Sequence, residues 1–380
     1  MKPRVLDWLI CPICGGGLAF KRVEKAAPSR PSIERSEPSP CSQCRAPSDA
    51  ERRVSASGNC PACYTLEADT GVISCPEGHA FPIEEGVPRL LLDREGESDA
   101  AKSIRKTFSA QWAEYDHEAE DKTWGQTLDQ RIGDFLRMVD MRPAELLDKR
   151  VLDAGCGNGM LSRAITDFGC EVLAADLSDS VVAAHRHFEA QGNGRTHFVQ
   201  ADVMTPPFRP QAFDIVFCAG VIIVTPDSRQ TFDEVIKAVA PGGRLFVWVY
   251  WRERGVKYRV KTALRRLLSP MPLSVKRLVS AVFTAQALAR GHLAKLLRRE
   301  GAEEPTRWRE AYLVQHDFFT PRYRWEHTEQ EVHGWYREHG FTDIRTTEVV
   351  KAGFGVLARR PDRHVAVEPE MVTEASTLER

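Results

Sequence analysis

The stretch VLDAGCGNGMLS, residues 151–162, decides the fold. An apolar strand ends at Asp153, and the glycines Gly155, Gly157 and Gly159 then turn the chain into a helix. Glycine adopts backbone angles that other residues avoid and lets a ligand approach the backbone closely. The start of the helix offers free amide groups at the positive end of its dipole, which suits a carboxylate or a phosphate. The stretch therefore predicts a strand–loop–helix unit that binds a ligand.

Short apolar strands alternate with helical segments on the carboxyl side of this stretch. The predicted strands are RVLDA, CEVLAAD, HFVQAD, FDIVFCA and RLFVWVY, followed by FTDIRTTEVV and GFGVLARR. Such alternation predicts an α/β fold, in which helices cover both faces of a mostly parallel sheet.

The acids around the glycines indicate which cofactor the loop would bind. The spacing is G-x-G-x-G, whereas the dinucleotide fingerprint is G-x-G-x-x-G. Asp153 directly before the loop would repel a pyrophosphate but can hold an ammonium group. Asp176 ends the second strand and can accept both ribose hydroxyls, and Asp202 ends the third strand and can face an adenine amino group. These features favour S-adenosylmethionine over a nicotinamide cofactor.

With these motifs in order, residues 151–250 resemble the core of the class I S-adenosylmethionine-dependent methyltransferases. The matching segments are VLDAGCGNG, AADLS, QADV, FDIVFCAGVIIVTPD and APGGRLFVWVY. The resemblance implies a Rossmann-like sheet of seven strands with the last one antiparallel. It also implies a set of cofactor-binding residues, namely Asp153, Gly155, Gly157, Gly159, Asp176, Asp202, Val203 and Ala219.

One motif departs from this family. Many relatives carry two histidines in G-V-L-H-H-T-P-D, where this chain has GVIIVTPD at 220–227. A histidine base at position 223 or 224 is therefore excluded. A hydroxyl acceptor usually needs a base, and the segment AYLVQHDFFTPRYRWEHT at 311–328 offers candidates. We take His316, Asp317 and Tyr323 as candidate catalytic residues, and Tyr312 and His327 lie beside them. The alternative is an aromatic loop that only packs.

Residues 108–125, FSAQWAEYDHEAEDKTWG, resemble the helices that precede the core in methyltransferases found with polysaccharide genes. The resemblance implies that this segment closes over the cofactor. Gln111, Trp112 and Tyr115 would then be within reach of it.

Seven of the ten cysteines precede position 76, and they form a metal-ligand pattern with one histidine. The pairs are Cys11 and Cys14, Cys41 and Cys44, Cys60 and Cys63, and Cys75 with His79. Eight ligands suit two tetrahedral zinc sites, and C-x2-C is the usual spacing. We therefore predict about two zinc ions per chain. Cys156, Cys170 and Cys218 fall in the core pattern and are expected to be buried apolar residues.

The opening LDWLICPICGGGL and the later ISCPEGHAFPIEEGVPRLL resemble the two halves of a zinc ribbon found in small methyltransferase activators and some methyltransferases. The resemblance implies one site of Cys11, Cys14, Cys75 and His79, with a second site from the other two pairs on an inserted loop. A sequential pairing, 11/14 with 41/44 and 60/63 with 75/79, stays open.

The 380 residues and 42.7 kDa suit about two domains. We predict a zinc-ribbon module at 1–95, a helical cap at 96–148, a methyltransferase core at 149–360 with a helical insertion at 252–300, and a disordered tail at 361–380. Asp7 interrupts the first apolar run, and no run reaches the length of a membrane-spanning helix, so we expect a cytoplasmic protein.

The formal net charge is -1, so attraction to nucleic acid or membrane must come from a local patch. Residues 252–300 carry thirteen Lys and Arg against Glu253 and Glu300, with apolar residues at helical spacing. A basic amphipathic helix of this kind binds phosphate backbones or an anionic membrane surface. The alternative is a helical lid whose solvated face is basic. We take Arg265 and Arg266 as part of the basic charge. Three functions follow: methyl transfer to a small-molecule, glycan or lipid-linked acceptor; methylation of RNA held by the ribbon; or a non-catalytic zinc-ribbon interaction protein.

Overall fold

The computed structural model describes most of the chain outside the cysteine-rich insertion and the tail. The described ranges are 1–28, 66–92, 99–113, 126–189, 194–252, 255–296, 308–350 and 352–362. Several predicted features lie outside the described residues, among them Tyr115, Cys41, Cys44, Cys60, Cys63 and nearly all of the tail.

The strands of the described part join into one mixed sheet. They are β1 (Ala19–Pro28), β2 (Leu66–Ser74), β3 (Ala80–Glu84), β4 (Val87–Leu90), β5 (Arg150–Ala154), β6 (Glu171–Asp176), β7 (Thr196–Ala201), β8 (Phe213–Ala219), β9 (Val239–Trp251), β10 (Glu326–His327), β11 (Thr342–Val350) and β12 (Gly353–Arg359). Their order is β1-β2-β3-β4-β7-β6-β5-β8-β9-β12-β11, and β10 pairs with the end of β9.

The α-helices of the described part lie between these strands. They are α1 (Asp99–Ala113), α2 (Leu128–Met138), α3 (Met160–Ile165), α4 (Ser180–Glu189), α5 (Ser228–Val235), α6 (Val256–Leu268), α7 (Leu273–Leu296), α8 (Trp308–Phe319) and α9 (Glu329–Glu338). None of them is long and apolar enough to cross a membrane.

Seven strands form the sheet that the sequence predicted. β7, β6, β5, β8 and β9 run parallel, and β12 is antiparallel to both β9 and β11. This topology confirms the predicted α/β Rossmann-like sheet. Its parallel strands end at one edge, where the glycine loop begins, and an open α/β sheet binds ligands at that edge.

Apolar side chains on the two faces of this sheet belong to two hydrophobic clusters. Leu152 and Leu173 point into one cluster, while Val151 and Val172 on the same strands point into the other. Side chains alternate along a strand, so a strand buried on both faces carries a continuous apolar run. Cys170 and Cys218 are fully buried and Cys156 nearly so, as predicted.

The N-terminal strands extend this sheet. β1 to β4 form an antiparallel meander, and β4 then pairs in parallel with β7, where Arg89 lies opposite Gln200. Leu6 and Phe81 belong to the same hydrophobic cluster as Leu152 of β5. The zinc-ribbon module predicted at 1–95 therefore shares apolar packing with the core on its carboxyl side.

A buried ion pair fastens the N-terminus to the same sheet. The Arg4 guanidinium lies 2.8 Å from Glu171, whose other oxygen contacts His197 Nε2 at 2.8 Å. All three residues are buried. Loss of one partner would leave an uncompensated buried charge, which typically costs about 3–5 kcal/mol. The first residues are thus a structural part of the core.

The structure separates the two arginines that the sequence assigned to the basic charge of the helical insertion after β9. Arg265 on α6 is only 7% exposed, and its guanidinium donates to the backbone carbonyls of Pro321 and Arg322. Arg265 therefore does not belong to an exposed basic face, because its guanidinium holds the segment after α8 in place. Lys276 on α7 is likewise buried. Helical spacing does not distinguish a basic residue that faces water from one that caps buried carbonyls.

Candidate functional site

Three glycines with positive φ form the loop between β5 and α3. Gly155, Gly157 and Gly159 have φ of +97°, +58° and +71°. A Cβ at Gly155 would clash with Val221, and one at Gly159 would lie 2.5 Å from the Phe198 ring. The loop therefore requires glycine for its backbone angles and also for its packing.

The carboxylate of Asp176, at the end of β6, holds this loop. Its Oδ2 accepts from the Gly157 amide at 2.9 Å, and its Oδ1 accepts from the Ser178 amide and hydroxyl. Ser180 donates to the Gly157 carbonyl at 2.7 Å, so the loop is fixed from two sides. Oδ1 already accepts two bonds, whereas Oδ2 accepts one and can still accept another. Asp176 can thus position the loop and accept one ribose hydroxyl.

Asp153, at the end of β5, is buried beneath the loop. Ser162 donates to its carboxylate at 2.5 Å. Burial raises the pKa of Asp153 from 3.8 to about 6, although the bond from Ser162 opposes this rise. An ammonium group placed beside it would favour the ionised form, as expected for an acid that is a cation's partner.

Helix α1 covers the loop from above. The indole of Trp112 lies against Gly157, where a Cβ would be 2.5 Å from the ring. Ser109 on the same helix accepts from the Asp179 amide at 3.0 Å, just beyond β6. Of the segment predicted to close over the cofactor, the part in α1 thus lies at the strand ends, with Trp112 at the loop.

The predicted adenine side lies in an open cleft beside the ends of β6 and β7. Leu177, Asp202 and Met204 line it, together with Ala101 of α1. Val203 is largely buried next to Asp202, whereas Ala219 is exposed at the end of β8. Asp202 therefore faces a cleft with apolar side chains and with polar ones such as Thr205 and Gln230, a lining that can pack against and hydrogen-bond to a purine ring.

His316 on α8 is buried against α1. Its Nδ1 lies 3.4 Å from Gln111 Oε1, and its Nε2 is buried without a hydrogen-bond partner among the described residues. Burial, with Arg277 nearby, lowers the pKa of His316 to about 4. The ring is therefore neutral at pH 7. With the Gln111 amide in this orientation, Nδ1 would carry the proton and Nε2 would keep a free lone pair.

The other candidates after β9 have different surroundings. Asp317 accepts from the Tyr250 hydroxyl at 2.6 Å, and the guanidinium of Arg324 lies over the Tyr250 ring. Burial raises the pKa of Asp317, and the bond from Tyr250 opposes that rise. Tyr323 is half-buried, with Arg322 near its ring. His316 and Asp317 thus follow each other on α8 but contact different partners.

His327 has a structural role. Its ring nitrogens contact Ser228 at 3.0 Å and Glu331 at 3.0 Å, and it pairs with the end of β9 through its backbone. At the two positions where relatives carry histidines, Ile223 is fully buried and Val224 is only 7% exposed. They pack into the core and do not line the cleft.

A cluster of Cys and His side chains stands at the N-terminal turn. The ligand atoms of Cys11, Cys14, Cys75 and His79 all lie within 4.8 Å of one another. Cys14 and Cys75 sulfurs are 3.6 Å apart, and Cys75 Sγ is 3.3 Å from His79 Nδ1. Tetrahedral zinc ligands stand roughly 3.3–3.8 Å apart at the usual bond lengths, so the donor set fits zinc. The structure brings together the four residues of the nested pairing, while the other two cysteine pairs lie outside the described residues.

Several residues of the site escaped the sequence interpretation. Asp179 accepts from Gln200 at 3.0 Å and lies 3.3 Å from Arg89 on β4, which links the N-terminal meander to the cofactor edge. Ser178 and Ser180 stand two and four residues after Asp176. Their position after an acid at a strand end was the available signal, because short hydroxyl side chains there bond back to the backbone.

Residues 152–247, which span β5 to most of β9, match the methyltransferase domain family. The chain therefore contains a methyltransferase domain. The curated relatives match over similar lengths. A malonyl-[acyl-carrier protein] O-methyltransferase of Enterobacter lignolyticus is 38% identical over 96 residues, which is 25% of this chain and 37% of that protein.

A ubiquinone biosynthesis O-methyltransferase of Idiomarina loihiensis is 31% identical over 29% of this chain and 46% of that protein. A demethylmenaquinone methyltransferase of Clavibacter sepedonicus is 33% identical over 27% of this chain and 42% of that protein. The chain spans less than half the length of these relatives.

Among solved structures, magnesium protoporphyrin IX methyltransferase of Synechocystis with bound S-adenosylmethionine has a TM-score of 0.41 at 15% identity. The match covers 70% of this chain and 99% of that one. A phosphoethanolamine N-methyltransferase of Haemonchus contortus has a TM-score of 0.42 at 16% identity. This match covers 74% of this chain and 62% of that one.

Proposed function

We propose that the chain transfers the methyl group of S-adenosylmethionine to a small-molecule, glycan or lipid-linked acceptor. The observation that carries this proposal is the bond from the Gly157 amide to Asp176, which joins the glycine loop to the acid at the next strand end. Together with the methyltransferase domain match over 152–247, it favours adenosylmethionine over a dinucleotide.

The residues at the loop fit the cofactor. Its ammonium would face Asp153, one of its ribose hydroxyls would bond to Asp176 Oδ2, and its adenine would lie in the cleft beside Asp202. Trp112 would exclude water from above, because its ring already covers Gly157. The cofactor supplies the methyl group on a sulfonium centre, and the protein supplies alignment and a dry site.

His316 is placed to accept a hydrogen bond from an acceptor hydroxyl and to orient it, although its pKa of about 4 makes it a weak base. Its Nε2 lone pair is buried and unpartnered among the described residues, and its ring is neutral. Gln111 orients the ring through Nδ1. His316→Gln should therefore reduce turnover while leaving cofactor affinity unchanged. His327→Gln would instead lower stability, since His327 bonds Ser228 and Glu331.

A zinc ion bound by Cys11, Cys14, Cys75 and His79 is part of the proposal. The three sulfurs and one nitrogen supply a donor set that structural zinc sites use. A second zinc, held by the remaining two cysteine pairs, would give about two zinc ions per chain. The site would stabilise the turn that carries the N-terminal meander.

The helical insertion favours a membrane surface over RNA as the further partner. Val260 and Leu267 on α6, and Leu278 and Val282 on α7, are 59–70% exposed. RNA backbones need cations but not exposed aliphatic side chains, whereas a lipid surface uses both. Arg266, next to Leu267, is exposed as well. We therefore assign this surface to an anionic lipid headgroup layer.

Isothermal titration calorimetry with S-adenosylmethionine, S-adenosylhomocysteine and NAD tests the proposed function. Binding of the first two and not of NAD is expected. Tritiated cofactor incubated with a lipid extract, and separately with total RNA, then distinguishes the acceptors. If neither adenosyl compound bound, the alternative of a non-catalytic zinc-ribbon interaction protein would be favoured. If the label appeared in RNA alone, the alternative of an RNA methyltransferase would be favoured.

A further inference from the structure

A second cleft lies between α1, the turn from α6 to α7, and the segment after α8. Its lining includes three cations and three hydroxyls, namely Lys106, Lys276, Arg322, Ser103, Thr107 and Ser269. No acidic side chain lines the described wall of this cleft. The donors come from three separate elements and converge on one space.

The cations of the cleft lack a counter-charge among the described residues, since Lys106, Lys276 and Arg322 form no ion pair with any carboxylate there. Lys276 is only 8% exposed, and in the described part of the chain its ammonium donates one hydrogen bond, to the Thr320 carbonyl at 3.4 Å. Burial lowers the pKa of Lys276, and the neighbouring Arg265 and Arg322 lower it further. A buried cation among other cations is costly unless an anion joins them.

Helix α1 connects this cleft to the proposed reaction centre. Ser103, Thr107 and Gln111 follow one another at intervals of one turn, and thus lie on one face of the helix. Ser103 and Thr107 line the cleft, while Gln111 contacts His316. A rise of about 1.5 Å per residue places the two ends of this row roughly 12 Å apart.

We propose that the cleft binds a phosphate group of the methyl acceptor, about 6–12 Å from the atom that is methylated beside His316. The proposal rests on the proposed function, since it assigns the cleft to the acceptor of that reaction. Arginine, lysine and hydroxyl donors around one space match the several acceptor oxygens of a phosphate. A lipid phosphate and a soluble phosphate ester share this chemistry.

Direct binding of inorganic phosphate to the full chain tests the site without any methyl transfer. Phosphorus-31 NMR titration should show saturable binding that weakens as chloride rises. Lys276→Met and Arg322→Gln should each weaken binding at least fivefold. Arg290→Gln, an exposed change on α7 outside the cleft, should leave it unchanged. The exposed position of Arg322 makes its variant safe for folding.

Two soluble probes identify the source of the phosphate. Glycerol 3-phosphate and dihexanoyl phosphatidic acid carry the same group with and without acyl chains. Tighter binding of the lipid by tenfold or more assigns a lipid phosphate, and equal binding assigns a soluble ester. Phosphate binding that is absent, or equal in wild type and both cleft variants, overturns the proposal. Failure of adenosylmethionine to bind while phosphate binds would instead overturn the proposed function.

Discussion

The indole of Trp112 lies directly over Gly157, so close that a single added methyl group on the glycine would reach to within 2.5 Å of the ring. The helix that precedes the core is thereby packed onto the loop that the cofactor would contact. Helix α1 and the glycine loop, which lie on opposite sides of the proposed site, are thus in contact through Trp112 and Gly157.

Gly157→Ala should weaken binding of S-adenosylmethionine at least tenfold. The alanine would strain a backbone at φ +58° and push the Trp112 ring away from the loop. Calorimetry measures the affinity, and thermal unfolding shows whether the chain still folds.

Gly133→Ala on α2 is the matched control, because no atom lies within 4 Å of its added methyl group. It should leave affinity unchanged and stabilise the helix by about 0.5–1 kcal/mol. Equal cofactor affinity in the two variants would show that the loop is not part of the binding site.

Cofactor affinity should fall as the pH drops below about 6, the pKa of the buried Asp153. Only the ionised carboxylate attracts the ammonium, so each pH unit below this value should cost roughly tenfold in affinity. Without cofactor, the raised pKa of Asp153 affects the stability of the fold in the opposite direction, so that low pH favours the folded state. The folded state binds the proton more tightly, so this group contributes most stability below pH 3.8 and loses that contribution as the pH rises through 6.

Calorimetry near pH 6 in two buffers of different ionisation enthalpy measures the proton released on binding. The wild type should release a fraction of a proton, and Asp153→Asn should lack this release and bind more weakly at pH 7.5. If wild type and variant showed the same pH profile, Asp153 would not be the ammonium partner.

Elemental analysis should find about two zinc ions per chain, and Cys75→Ser should remove one of them. The variant should lower the melting temperature of the whole chain, because the N-terminal turn shares a hydrophobic cluster with the core. Metal binding stabilises the fold to which its ligands belong.

Cys170→Ser provides the control for this test, since Cys170 is buried at the end of the loop before β6 and donates to the Ile165 carbonyl. It should keep the full zinc content. A chain with no zinc and normal stability would exclude the metal site.

Leu267→Gln together with Leu278→Gln should weaken binding to vesicles of phosphatidylglycerol and phosphatidylcholine by tenfold or more. Each removes an aliphatic side chain that is at least two-thirds exposed. Val349→Gln changes a comparably exposed residue on β11 and should have no effect. Flotation assays measure the bound fraction. Strong binding of mixed-sequence RNA, with none to vesicles, would reverse the assignment of this surface.

The sequence predicted the glycine loop and its strand-end acids because that information is local. Gly155 to Asp176 span one strand–helix–strand unit, and the spacing of such a unit fixes which residues meet at the sheet edge. The contact between His316 and Gln111 joins residues 205 positions apart. No periodicity reports a contact of that range, so the pairing needed the structure.

The basic insertion shows a second limit of sequence interpretation. Arg265 and Arg266 are adjacent, yet one is buried on the carbonyls of residues 321 and 322 and the other faces solvent. Composition gives the charge of a helix but not which of its cations is satisfied inside the protein. The same holds for Lys276, whose burial defines the proposed phosphate cleft.

The pairing of β4 with β7 has a consequence for self-association. In a sheet of seven strands alone, β7 would be an outer strand with a row of unsatisfied amides and carbonyls, which invites strand addition from another molecule. Here Arg89 and Leu90 cover the carboxyl end of that row, opposite Gln200 and Ala201. A chain truncated to begin at residue 99 would expose it, and such a fragment should aggregate or dimerise edge to edge even though its own seven strands are complete.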